Sequence, residues 1–135
     1  MLTLYEALQD LFQSKKNNKA KGTRGEEIAR KLLVDKGYKI LESNYFYGKL
    51  EIDIVAEYQN VMVFVEVKSR TLDYLVEPAL AVNIKKQKSI IKAADGYLRE
   101  REIELESRFD IITVTWISDT KTDIEHHEGA YYPFM

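Results

Sequence analysis

Four charged side chains in the stretch Gly48 to Arg70, GKLEIDIVAEYQNVMVFVEVKSR, stand where charge is costly. Glu51 and Asp53 flank one isoleucine and Glu66 and Lys68 flank one valine, and a spacing of two puts each pair on one face of a pleated strand. The run VMVFV is apolar on both faces, as in a buried strand, and charge arrives only at its end. Asp53 and Glu66 on adjacent strands can converge on one point. Two carboxylates with few competing donors suit a hard divalent cation, Mg2+ or Mn2+. Lys68 beside them adds a point charge that orients a water or neutralises a phosphoryl oxygen. That set of groups suits phosphodiester hydrolysis, in which the cation lowers the pKa of bound water and offsets charge on the pentacoordinate phosphate. The plainer alternative is an ion pair at the strand ends.

Other residues extend this candidate site. Glu26 has two readings, a capping-box acid paired with Thr23 or a further cation ligand from the preceding helix, and the two are compatible. Gln87 falls within the apolar stripe of a later helix, either aimed at the site or bonded to backbone as a buried amide. Arg70, Lys85, Lys86 and Lys88 can contact phosphate, although a solvated helix face also accounts for the three lysines. Glu51 reads as solvated or lysine-paired at the start of its strand. His126 and His127 are adjacent, so on a strand they point to opposite faces, and they read as surface residues. The sequence holds no phosphate-cradling glycine loop and no nucleophile elbow.

The elements that must position these groups follow from periodicity. Residues 3–15 place Leu4, Leu8, Leu11 and Phe12 at helical spacing, followed by the basic, turn-prone SKKNNKAKG. This leading helix packs on its own domain or on a second copy, the latter making a homodimer. Thr23 is expected to open the next helix, with Ile28, Ala29, Leu32 and Leu33 buried and Gly37 as terminator. Tyr38 to Tyr47 reads as a first strand, IDIVA and VMVFVEV as the second and third, with a hairpin at Tyr58 to Asn60. Pro78 excludes a central strand from residues 71–82, which read as a loop over the site. Asn83 caps a helix to about Arg101 with Ile84, Ile91, Ala94 and Leu98 on its buried face. Phe109 to Ile117 is a further strand and TDIEHHE a weak one. The crossover helix demands at least one parallel pairing in a single mixed sheet.

Composition bounds the rest. At 135 residues the chain is one domain with a sizeable core, read as residues 1–22 (helix and linker) followed by residues 23–135. It has no cysteine, which excludes disulfides and thiolate zinc sites. The first residues lack a basic region and a long apolar run, so a cytoplasmic protein with no membrane association is expected. A net charge of −2 opposes coating of nucleic acid by bulk charge. The charge is unevenly placed, however, with 16 Lys and Arg against 12 Asp and Glu in residues 1–92 and 4 against 10 thereafter. The basic surplus accompanies the candidate site, and a local field of this sign attracts a polyanion.

With these residues in view, Asp53 followed by Glu66-Val67-Lys68 at the end of an apolar strand, behind a helix bearing Glu26, resembles the PD-(D/E)XK nuclease arrangement. More closely, GEEIARKLLVDKGYKILESNY, LEIDIVA, VFVEVKSR, the lysine-rich helix ending in AADGYL, and RFDIITV resemble the YraN-like family of bacterial proteins, from Thr23 to Ala130. The resemblance implies a restriction-endonuclease-like α/β fold with an αβββαβ core, similar to that of archaeal Holliday junction resolvases. It implies Asp53, Glu66 and Lys68 as the catalytic signature, with Glu26 as an added ligand, Gln87 as a further site residue and the Val67 carbonyl facing the metal. The chain departs from the family pattern at Leu50, where glycine is usual. The expected function is a Mg2+- or Mn2+-dependent DNA endonuclease, acting on branched or structured DNA. The alternatives are a non-catalytic nucleic-acid-binding or assembly module of the same fold, and a protein-interaction domain using the first helix.

Overall fold

Short-range chemistry accounts for most of the element boundaries in the computed structural model, which describes residues 22–71 and 83–133. The leading helix, its basic linker and all but the first residue of the expected loop over 71–82 lie outside those residues. Helix α1 covers residues 22–35. Gly22 is already helical, so Thr23 sits within the helix and the expected Thr23–Glu26 capping box is not formed. The S/T-x-x-E pattern is local and is equally compatible with a helix that begins earlier. The C-terminus is as expected: Gly37 takes φ 94°, with Tyr38 N–H donating to Leu33 O at 2.9 Å and Gly37 N–H to Val34 O at 3.0 Å. This is a Schellman closure, in which a left-handed residue satisfies the last carbonyls.

Three antiparallel strands follow, β1 (Lys39–Tyr47), β2 (Leu50–Tyr58) and β3 (Val61–Thr71). Gln59 and Asn60 join the last two with φ 49° and 63°, the paired positive values of a type I′ hairpin turn. Helix α2 (Ile84–Glu100) then precedes β4 (Glu106–Trp116) and β5 (Thr122–Tyr131). Asn83 caps α2, its side chain accepting from Lys86 N–H at 2.8 Å. The strands form one sheet in the order β1-β2-β3-β4-β5. Only β3 and β4 are parallel, in continuous register from Val61↔Glu106 to Thr71↔Trp116. The helices thus flank a mixed sheet in the αβββαβ order of a restriction-endonuclease-like core, with β5 added at the edge.

The helices cover opposite faces. Ala29 and Leu33 of α1 pack with Ile54, Val63, Val65, Ile112 and Val114, while Ile90, Ala93, Ala94 and Tyr97 of α2 pack with Ile52, Phe64, Phe109 and Ile111. With apolar layers on both sides, Met62 to Val65 are almost wholly buried, which is why that run lacks alternation. The stripe of α2 is phased differently from the expectation. Ile84 is 57% exposed, while Ile91 and Leu98 pack only at the margin of the core. Ala94 is buried as expected, and contact with the core centres on it with Ile90, Ala93 and Tyr97 rather than on Ile84.

Candidate functional site

The site is built at a break in the sheet. The β1–β2 partner pairs Tyr45↔Ile52 and Ser43↔Ile54 keep one register with Asn44 and Asp53 outside the ladder between them, and the shift in this ladder lies further along, between Ile40 and Glu42. The β2–β3 ladder runs only from Tyr58↔Val61 to Ile54↔Val65. Asn44 is left-handed at φ 52°. Ile52 and Ile54, two residues apart, consequently lie in cores on opposite faces. Where the backbone ladder stops, the Asp53 side chain replaces it: Oδ2 accepts from Val67 N–H at 2.8 Å. A carboxylate seated between two splayed strands can reach both faces, which a side chain in a regular ladder cannot.

Three acids meet there. Carboxylate oxygens of Glu26, Glu51 and Asp53 lie within 4.8 Å of one another. Glu26 arrives from α1 because that helix packs closely on β3. A Cβ on Gly25 would lie 3.0 Å from Ser69 Oγ, so glycine at that position permits the approach. Ser69 Oγ is held in turn by Trp116 Nε1–H at 2.8 Å. Asn44 Nδ2 bridges the acids, donating to Glu26 Oε2 at 3.1 Å and to Glu51 Oε1 at 3.0 Å. Glu51 therefore belongs to the cluster rather than standing solvated or lysine-paired at its strand's start. Asn44, which sequence reasoning missed, carries no local signal beyond asparagine's tolerance of left-handed backbone.

Glu66 completes the arrangement from β3. Burial, then the charge of Asp53, pushes its carboxyl up to about 8. Burial also raises Asp53 to about 6; the Val67 N–H opposes that shift, and the charges of Glu26 and Glu51 add to it. Lys86, from the first turn of α2, stands 3.9 Å from Glu66 Oε1. It is thus beside the carboxylates, where the sequence suggested a phosphate contact or a solvated helix face. Lys68 is half-buried and two residues beyond Glu66 on the same strand face, in register with Thr113. Arg70 Nε donates to Thr115 Oγ1 at 3.3 Å. Gln87 is half-buried on α2, in helical step with Ile90 and Ala94. Lys85 and Lys88 line a recess on α2 with Leu50, Ile84, Ser89 and Lys92. Val67 packs its side chain towards the α1 core.

The raised acids fix a sign for pH dependence. In metal-free protein the folded chain holds protons that the unfolded chain releases. The resulting stability is complete below the ordinary carboxylate range of about 4 and is lost as pH rises through about 6 and about 8. In chelator, the melting temperature is expected to fall by roughly 5–10 °C between about pH 5 and pH 9, with Glu66→Gln removing most of the slope. Thermal melts by circular dichroism check this. A wild-type profile that is flat over that interval contradicts it.

His126 overturns its reading as a surface residue. Its side chain is only 4% exposed, with Nε2 2.8 Å from Asp110 Oδ2 and Nδ1 2.7 Å from Lys36 Nζ. A lysine ammonium only donates, so Nδ1 accepts and Nε2–H donates to the carboxylate. His127 faces the other way, with Nε2 3.3 Å from Glu125 Oε2 and half-buried. Hydropathy scores histidine as polar, and its partner Asp110 is on another strand.

The profile of the uncharacterised protein family UPF0102 matches residues 25–114. Similar curated relatives, each named UPF0102 protein, include one from Phocaeicola vulgatus, 46% identical over 112 residues and covering 83% of this chain and 92% of the relative. One from Parabacteroides distasonis is 41% identical over 111 residues, covering 82% and 91%. Another from Natranaerobius thermophilus is 39% identical over 118 residues, covering 85% and 99%. The matched interval contains Glu26, Glu51, Asp53, Glu66 and Lys68. Among the described residues no helix is long and apolar enough to cross a membrane.

Proposed function

This chain belongs to the UPF0102 family, and from that premise we propose that it is a divalent-cation-dependent DNA endonuclease that hydrolyses phosphodiester bonds, with branched or structured DNA as its substrate class. The observation that carries the reading is the meeting of the Glu26, Glu51 and Asp53 carboxylates within 4.8 Å of one another where the β2–β3 ladder ends, with the charge of Asp53 acting on Glu66 of β3. The donor set is all oxygen, without thiol or imidazole, which fits Mg2+ or Mn2+. Asp53, Glu66 and Glu26 would hold the ion, with Glu51 adjacent and the Val67 carbonyl as a further oxygen. When bound, the ion supplies Lewis-acid activation of water and of the scissile phosphate.

The chain's own groups do the rest. Lys68, on the face of Glu66, places a fixed positive charge against the phosphoryl oxygens and orients the attacking water. Burial keeps bulk water from screening that charge. The protons held by Asp53 and Glu66 must leave before both can act as ligands, so cation affinity rises with pH through about 6 and about 8. Gln87, half-buried on α2, would orient the site from that helix. Arg70, Lys85, Lys86 and Lys88 hold flanking phosphates of DNA, in the basic part of the chain.

The test is a panel of end-labelled duplex, flap, junction and single-stranded DNA with Mg2+ or Mn2+. Cleavage of at least one member is expected, abolished by chelator. Lys68→Ala should lower the rate about 100-fold while leaving cation affinity unchanged. Wild-type protein that cuts no member with either ion refutes the nuclease reading. Salt-dependent DNA binding without cleavage would identify the non-catalytic module instead.

A further inference from the structure

Among the described residues, three buried side-chain atoms make no hydrogen bond: Glu66 Oε2, the Tyr131 hydroxyl, and His127 Nε2, which has only the ion-pair approach to Glu125 at 3.3 Å. They are not scattered. Glu66 on β3 and His127 on β5 are both in register with Ile111 of β4, and Tyr131 is in register with Phe109, two residues from Ile111. Phe64, Phe109, Ile111 and Tyr131 share the core beneath α2, so Glu66, two residues from Phe64, faces the same side as the Tyr131 ring. Tyr131 is 8% exposed and its ring stacks on Phe109 at 5.4 Å. Packing alone requires the ring. The hydroxyl adds a desolvation cost of about 1–3 kcal/mol where it goes unbonded.

A carboxylate that loads a cation with one oxygen needs a donor on the other. Such outer partners fix the orientation and basicity of metal ligands. The orphan acceptor on Glu66 and the orphan donor on Tyr131 are complementary.

We propose that Tyr131 is a positioning residue of this site, donating its hydroxyl to the Glu66 carboxylate when that carboxylate is engaged as a ligand. The inference rests on the cation-binding reading above. It extends the site across β4 to the edge strand β5, beyond the residues singled out from the sequence. The charge of Glu66 already acts on Tyr131, whose phenol is raised first by burial and then by that charge.

Calorimetric titration of the full chain with Mn2+ tests it. Tyr131→Phe keeps the stack on Phe109 and removes only the oxygen. It should weaken Mn2+ binding about tenfold while leaving the melting temperature of metal-free protein unchanged or higher. A merely structural tyrosine would show the opposite pattern. Tyr97→Phe, in the same core but over Arg101 at 3.9 Å, should bind Mn2+ as wild type does. Equal affinity of wild type and Tyr131→Phe overturns this inference alone. Absence of Mn2+ binding by wild type overturns it together with the cation site.

Discussion

Asp53→Asn is expected to abolish divalent-cation binding in a calorimetric titration and to lower DNA cleavage by on the order of 10³-fold or more, without loss of the fold. The separation of function from stability follows from the two tasks of one side chain. Structurally, Asp53 Oδ2 accepts the Val67 N–H at 2.8 Å, where the ladder between β2 and β3 has ended. An asparagine carbonyl accepts that bond equally well. Chemically, Asp53 must offer negative charge among three other acids, and the amide has none. Because burial and the charges of Glu26 and Glu51 push Asp53 up to about 6 against the Val67 bond, its charge is a strain on the metal-free protein. The asparagine variant should therefore melt at or above the wild-type temperature at neutral pH. Asp53→Ala differs, since it leaves the Val67 N–H without its acceptor, and should lose about 1–3 kcal/mol as well as activity. Cation binding by the asparagine variant at wild-type affinity would sink the site.

Asp110→Ala should be the most destabilising single change away from that site, costing about 3–5 kcal/mol in urea unfolding with an unchanged m value. Asp110 is fully buried. Oδ1 accepts from Arg108 Nε at 2.9 Å and from Gly129 N–H at 3.0 Å, while Oδ2 accepts from Arg108 Nη2 at 2.9 Å and from His126 Nε2 at 2.8 Å. Arg108 also donates to the Tyr38 hydroxyl, and Tyr38 stacks on Tyr58 at 4.1 Å. Removing the carboxylate leaves a guanidinium and an imidazole without their shared acceptor. Burial pushes Asp110 up, but the bonds from His126, Arg108 and Gly129 outweigh it and hold the carboxyl below its ordinary value. Its stabilisation is thus present above about pH 4 and lost as pH falls through the depressed value. The two halves of the protein respond to pH in opposite senses, with Asp110 favouring the charged state and the Asp53–Glu66 pair the protonated one. A cost below about 1 kcal/mol for Asp110→Ala would mean that the network is ornamental to stability.

Local rules carried much of this protein. The two-residue spacing of Glu51 with Asp53 and of Glu66 with Lys68, the two-sided apolarity of Val61 to Val65, the Asn83 cap, the Gly37 closure and the Gln59–Asn60 turn are all contacts within a few residues, so composition and order determine them. The parallel pairing of β3 and β4 followed from the helix between them. What the tertiary structure decided was the phase and pairing of those pieces. Thr23 could not cap a helix in which Gly22 is already helical, and Ile84 is left exposed while the core contact of α2 falls on Ile90, Ala93, Ala94 and Tyr97. His126 and Asp110 found each other across β4 and β5. Above all, Asn44 and Asp53 stand outside the β1–β2 pairs, so that Asn44 ties Glu51 to Glu26 in the acid cluster and Asp53 bonds to β3. Spacing can place two charges on one face, but how far they stand from a third depends on where neighbouring ladders stop. That is a balance between backbone hydrogen bonds and packing of distant strands, and it exists only once the sheet has formed.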